Sequence, residues 1–78
     1  MARHTIKVPP LGDATQISVV EWQVAVGGEA TTDATLVILE TDKVDTELPA
    51  PIAGTLVEIL APEGAEVAVG DPLCVIEA

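Results

Sequence analysis

ISVVEWQVAVGGEATTDATLVILE, residues 17–40, returns 37 residues later without a gap as GTLVEILAPEGAEVAVGDPLCVIE, residues 54–77. Six of the 24 aligned pairs are identical: Val20/Val57, Glu21/Glu58, Gly27/Gly64, Glu29/Glu66, Leu36/Leu73 and Glu40/Glu77. Others are conservative, among them Ser18/Thr55, Val19/Leu56, Trp22/Ile59, Ile38/Val75 and Leu39/Ile76, so apolar spacing and turn chemistry repeat together. Self-similarity of this kind marks one structural unit used twice. Each copy reads as a long strand, a Gly-containing turn, a very short strand and a further strand, which suits two similar sheets packed face to face.

Extending outward from the repeat, strands are expected near Thr5 to Val8, Ser18 to Ala25, Glu29 to Thr31, Leu36 to Thr41, Val44 to Leu48, Gly54 to Ala61, Glu66 to Ala68 and Leu73 to Glu77. Pro9, Pro10, Gly12, Gly27, Gly28, Pro49, Pro51, Pro62, Gly64, Gly70 and Pro72 punctuate the connections. Glu29 to Leu48 is the one long stretch free of Gly and Pro. It is dense in Thr and Val, which crowd the preceding turn of a helix. Eleven Val and six Ile against no Phe, no Tyr and one Trp point the same way, to an all-β chain with an aliphatic core and no aromatic-lined pocket.

Seventy-eight residues supply one hydrophobic core, so residues 1–78 are expected to form a single domain. Thirteen carboxylates against three basic side chains give a formal charge of −10. Such a surface repels phosphate backbones and anionic headgroups, which argues against nucleic acid and membrane as partners. A protein that docks here should offer basic groups. The same charge also serves simply to keep a small Val-rich protein in solution. The N-terminus shows no presequence character and no apolar run approaches spanning length, so a soluble protein of a reducing compartment is expected. Cys74 lies inside the apolar run Leu73 to Ile76 and reads as a core residue.

The chemistry-bearing segment is Glu40-Thr41-Asp42-Lys43-Val44-Asp45, where the strand pattern breaks for two or three residues, as at the tip of a tight hairpin. Lys43 stands at that tip and at the join of the two repeats. It is one of two lysines, the other being Lys7. A nucleophilic lysine needs a lowered pKa, from burial or nearby cations. Here Glu40, Asp42, Asp45 and Glu47 surround it in sequence and favour the ammonium, against a Schiff base or general base. An exposed lysine offered to a separate modifying enzyme needs only access. Composition and spacing by themselves favour a solvated turn lysine that balances local acid.

No catalytic residue is expected. His4 is the only histidine, no triad can be built, and one His and one Cys at opposite ends make no metal site. The carboxylate pairs Glu40 and Asp42, and Asp45 and Glu47, lack a cleft and read as solvated charges.

Glu40-Thr41-Asp42-Lys43-Val44, followed by Pro49-Ala50-Pro51-Ile52-Ala53-Gly54, resembles the lipoylation region of lipoyl domains, and the likeness covers essentially the whole chain. The family's spaced signature also fits, with Gly27 sixteen residues before Lys43, Glu40 three before it and Gly54 eleven after it. Pro9-Pro10-Leu11-Gly12 is similar to the family's first-loop opening. The resemblance implies a flattened eight-stranded barrel or sandwich, a barrel-sandwich hybrid of two four-stranded antiparallel sheets with pseudo-twofold symmetry. It implies lipoic acid in amide linkage on Lys43, with Glu40, Asp42, Val44, Gly27 and Gly54 as the recognition positions around it. The modified lysine would be the swinging arm of a dihydrolipoamide acyltransferase of a 2-oxo acid dehydrogenase complex.

The partners so implied are a lipoate-attaching enzyme, a thiamine-dependent 2-oxo acid decarboxylase that acylates the arm, an acyltransferase catalytic domain that passes the acyl group to coenzyme A, and the flavoprotein dihydrolipoyl dehydrogenase that reoxidises the dithiol. The location implied is bacterial cytoplasm, or the mitochondrial matrix in a eukaryote, and the isolated domain should be a monomer. The segment Gly12-Asp13-Ala14-Thr15-Gln16 departs from the Gly-Glu-Ser common among relatives. By resemblance that loop lies near the lysine turn and helps the decarboxylase choose its domain. If the chain is an excised piece, a flexible Ala- and Pro-rich linker is expected beyond Ala78.

A biotin carrier shares the fold, but its Met-Lys-Met surround is replaced here by Asp42 and Val44. A glycine-cleavage carrier is longer, with helical parts this sequence cannot form. From other classes, an unmodified acidic docking module would leave the turn sequence incidental, and a small enzyme would turn over substrate without a partner.

Overall fold

A computed structural model describes residues 2–10, 16–42 and 44–78, and among these there is no helix. Eight strands follow in order: β1 (Arg3–Lys7), β2 (Ile17–Trp22), β3 (Glu29–Ala30), β4 (Thr35–Thr41), β5 (Asp45–Pro49), β6 (Gly54–Ile59), β7 (Glu66–Val67) and β8 (Pro72–Glu77). They form two four-stranded antiparallel sheets, ordered β1-β8-β6-β3 and β5-β4-β2-β7. The all-β, two-sheet form is therefore as expected. Between its two names the sandwich is the accurate one, because ladder pairing leaves two separate sheets and no closed barrel.

Each sheet is one repeat plus a two-residue strand lent by the other: β3 of the first half pairs with β6 of the second, and β7 of the second with β2 of the first. The 37-residue offset carries into hydrogen bonds. Gly27 N–H donates to Leu56 O and Gly64 N–H to Val19 O, both at 2.7 Å, while Leu56 N–H donates to Gly28 O and Val19 N–H to Ala65 O, both at 2.9 Å. Gly27 and Gly64 also share a positive φ, at 90° and 87°, where a side chain would be strained. The next such pair is unequal in residue type but not in backbone, with Asp33 at φ 71° and Gly70 at 91°.

β2 and β6 end three and two residues sooner than expected, at Trp22 and Ile59. Both carry a register shift, between Val19 and Glu21 and between Leu56 and Glu58, which bends the strand. Beyond it each half leaves its own sheet to deliver the short strand to the other, still held by Gln23 N–H to Leu36 O at 3.0 Å in the first half and by Leu60 and Ala61 N–H to Leu73 O at 2.8 and 3.1 Å in the second.

The core is likewise doubled. Ile6, Leu36, Leu56, Cys74 and Ile76 pack in one cluster, Val8, Val19, Val37, Leu39 and Leu73 in the other, and Trp22 touches both. Trp22 satisfies its one polar atom by donating Nε1–H to Ala61 O at 2.9 Å. No polar or charged residue is buried among the described residues, so burial of aliphatic surface carries the stability. Cys74 is wholly buried, as the sequence suggested, and desolvation pushes its thiol up to about 11. Among the described residues no helix is long and apolar enough to cross a membrane.

Candidate functional site

β4 carries the chain to the turn and β5 carries it away, with Glu40 opposite Asp45 as the last ladder pair. Lys43 itself lies outside the described residues, but both its neighbours are exposed, Val44 at 64%. An apolar side chain that open beside a short turn has no packing role in the domain. The turn is closed by Thr41, whose N–H donates to Val44 O at 3.0 Å. Its hydroxyl donates to the same carbonyl at 2.7 Å and accepts the Val44 N–H at 3.0 Å. Side-chain closure of this sort is what Ser and Thr supply at turns. Thr41 did not figure among the expected site residues, though a hydroxyl at the last strand position before a two-residue loop was the available signal.

The two-fold relation locates the turn. Thr41 corresponds to Ala78, and Val44 to Ala2, because Ala2 and Ala78 exchange backbone hydrogen bonds at 2.8 and 2.9 Å where the turn would otherwise stand. The lysine turn is therefore the symmetry mate of the gap between the chain ends. β2 leaves the turn at Ile17, opposite Thr41, and the chain beyond it reaches Thr55 through Glu29, beside Glu77. Turn and chain ends thus occupy the two ends of a molecule measuring 36 × 20 × 19 Å.

Charge breaks the symmetry. Across the sheet at the turn end, one register row reads Asp45, Glu40, Ser18, Glu66. Its mate at the other end reads Arg3, Glu77, Thr55, Glu29, and there Arg3 Nε meets Glu77 Oε2 at 3.3 Å. The exposed carboxylates of Glu40 and Asp45 face each other instead. Like charges directly opposite are unfavourable, so the turn end is strongly negative where the opposite end is partly neutralised.

Of the expected recognition residues, Glu40, Asp42 and Val44 surround the turn, whereas Gly27 and Gly54 stand at the chain-end side. Gly54 faces Ala30 in the ladder, and a Cβ there would lie 2.5 Å from Glu77 O. Its spacing from Lys43 reflects close packing of β6 against β8. The segment Gly12 to Thr15, expected beside the turn, lies outside the described residues. It belongs to a connection of nine residues, 8–16, whose symmetry mate, 50–53, has four.

The described residues hold no group of three or more His, Cys, Asp or Glu that could bind a metal ion. An open groove lined by Trp22, Val24, Val26, Ile59 and Pro62 lies where β2 and β6 end, at Trp22 and Ile59. Around the turn, the described residues Asp42 and Val44 are exposed.

A family model described as "Biotin-requiring enzyme", Biotin_lipoyl, matches residues 4–76. The chain is 47% identical over 70 residues to the dihydrolipoyllysine-residue acetyltransferase component of the pyruvate dehydrogenase complex of Corynebacterium glutamicum, covering 88% of this chain and 10% of that protein. It is 46% identical over 74 residues to the dihydrolipoyllysine-residue succinyltransferase component of the 2-oxoglutarate dehydrogenase complex of Bartonella vinsonii, covering 94% and 18%. To the lipoamide acyltransferase component of the branched-chain alpha-keto acid dehydrogenase complex of Pseudomonas aeruginosa it is 36% identical over 78 residues, covering 99% and 18%. A solved single-chain, multi-domain long-chain acyl-CoA carboxylase superposes with a TM-score of 0.77 at 32% identity, over 94% of this chain and 7% of that one. The chain spans under a fifth of the length of each of these proteins.

Proposed function

The chain belongs to the biotin/lipoyl attachment family, and from that premise we propose that it is a lipoyl carrier domain whose Lys43 holds lipoate in amide linkage. The observation that supports this most is the exposed, Thr41-closed turn between β4 and β5, set at the end of the molecule away from the chain ends. Its two flanking residues, Asp42 and Val44, are the positions a modifying enzyme can read directly, with Glu40 one step back on β4.

Attachment joins the lipoate carboxyl carbon to Lys43 Nζ. In that amide Lys43 would hold the lipoate carboxyl through its Nζ, the side chain having given up two protons from the ammonium form. Lipoate, once bound, supplies a reducible dithiolane able to carry acyl groups and electrons. The domain's own part is to hold that arm clear of the sheets, at the end remote from any tether through Ala2 or Ala78. It performs no chemistry alone.

Tethering raises the effective concentration of the arm at successive active sites. Those would be a thiamine-dependent 2-oxo acid decarboxylase, an acyltransferase catalytic domain and dihydrolipoyl dehydrogenase. The negative row Asp45, Glu40, Ser18, Glu66 suits partners with basic surfaces around their active-site entrances, and speeds encounter with them. The relatives named include acetyl-, succinyl- and branched-chain acyltransferase components, so the shared feature is the arm and not one acyl group.

The family description and the carboxylase neighbour favour a second reading, biotin on the same lysine. Parallel exposure of the folded chain to a lipoate-attaching enzyme with lipoate and to a biotin ligase with biotin separates the two. Lipoyl mass gain with no biotinyl gain is the expected result; the reverse pattern would replace lipoate by biotin, and no gain with either enzyme would sink the carrier reading.

A further inference from the structure

Thr41 does at the turn what the backbone does at its symmetry mate. Where the chain ends meet, Ala2 N–H donates to Ala78 O and Ala78 N–H donates to Ala2 O. At the turn, the counterpart of the second bond is kept, Thr41 N–H to Val44 O at 3.0 Å. In the place of the first, Val44 N–H is given to the Thr41 hydroxyl at 3.0 Å, and that hydroxyl donates onward to Val44 O at 2.7 Å.

The reason lies in the residues of the turn. A two-residue hairpin whose backbone pair closes on itself is best made with a primed turn, which requires positive φ at its first central residue. That residue is Asp42, and Asp33 alone among the described non-glycine residues has positive φ. Unprimed turns match the twist of the flanking strands poorly and splay them. A hydroxyl on the last residue of β4 bridges the difference, catching the Val44 N–H and bracing the Val44 carbonyl. Asp42 and Lys43 lie between the two residues so joined.

We infer that Thr41 is a positioning residue for modification of Lys43, its hydroxyl fixing the turn in the shape that the lipoate-attaching enzyme accepts. This rests on the carrier reading. Without the clamp the turn samples several shapes, of which one docks, and apparent affinity falls in proportion to the population of that shape. The effect belongs in KM, since the lysine that reacts, once docked, is unchanged.

The test uses the 78-residue chain as substrate for a lipoate-attaching enzyme with lipoate and ATP, with rates expressed per folded molecule from the Trp22 fluorescence. Thr41→Val keeps the branched shape and removes the hydroxyl with its bonds to Val44; Thr41→Ala removes them with less β-strand preference; Thr41→Ser restores the hydroxyl. In Thr41→Val and Thr41→Ala, KM should rise about five- to tenfold, the equivalent of about one net hydrogen bond, with kcat unchanged. Thr41→Ser should return KM to within about twofold of the parent. Hydrogen exchange of the Val44 amide, measured before any modification, should quicken about tenfold in the two hydroxyl-free variants and not in Thr41→Ser.

A parent-like KM in the folded hydroxyl-free variants overturns the inference, as does unchanged Val44 exchange. A kcat loss that Thr41→Ser does not rescue also overturns it, since that marks a residue type read directly. If the parent chain itself gains no lipoyl mass, the carrier reading fails and this inference with it.

Discussion

A Cβ placed on Gly54 would stand 2.5 Å from the carbonyl oxygen of Glu77, closer than any relaxed contact. The Ile76 side chain, 2.7 Å from the same point, closes the other side. Gly54→Ala must therefore push β6 off β8, and we expect it to destabilise the fold by about 2 kcal/mol, in the range of overpacked cores. Urea unfolding followed by Trp22 fluorescence measures this. A loss below a few tenths of a kcal/mol would show that the two strands separate freely.

Asp45 faces Glu40 where Arg3 faces Glu77. Asp45→Arg copies the arrangement of the opposite end, and should raise stability by roughly 0.5 kcal/mol at low salt. The gain should shrink as ionic strength rises. Equal or lower stability at low salt would mean that the facing carboxylates cost nothing.

Cys74 is buried and its thiol is raised to about 11 from an ordinary 9.0, so the folded chain keeps its proton over a range in which the unfolded chain gives it up. The sign follows: the advantage of the neutral buried thiol is full below about pH 9 and is lost as pH rises through 11, by up to about 3 kcal/mol. Cys74→Ala should flatten that alkaline decline while lowering stability at pH 7, through the cavity it leaves. An unchanged alkaline slope in Cys74→Ala would assign the decline to other groups.

The doubled sheet was legible because the chain states it twice: Val20 with Val57, Gly27 with Gly64 and Leu36 with Leu73 occupy matching places in the two halves. Strand limits at Trp22 and Ile59 were not, since apolar alternation continues past the point where each chain crosses between sheets, and periodicity does not register a change of partner. Sequence spacing named Glu40, Asp42 and Val44, which flank the turn between β4 and β5. It also named Gly27 and Gly54, which hold a positive-φ turn and a tight strand contact toward the chain ends. Thr41 was passed over because a threonine in a β-branched run looks like any other strand residue until its hydroxyl is seen to hold Val44. The charge contrast between the Asp45 and Arg3 rows needed strand register, which composition cannot supply.

Site-resolved mass spectrometry tests the central claim, that Lys43 is the point of attachment, most directly. The chain, treated with a lipoate-attaching enzyme and lipoate, is digested and mapped alongside Lys43→Ala and Lys43→Arg. We expect one lipoyl mass increment on the peptide holding Lys43, none on that holding Lys7, and none in either variant. An increment on Lys7, or its persistence in Lys43→Ala, would contradict the account.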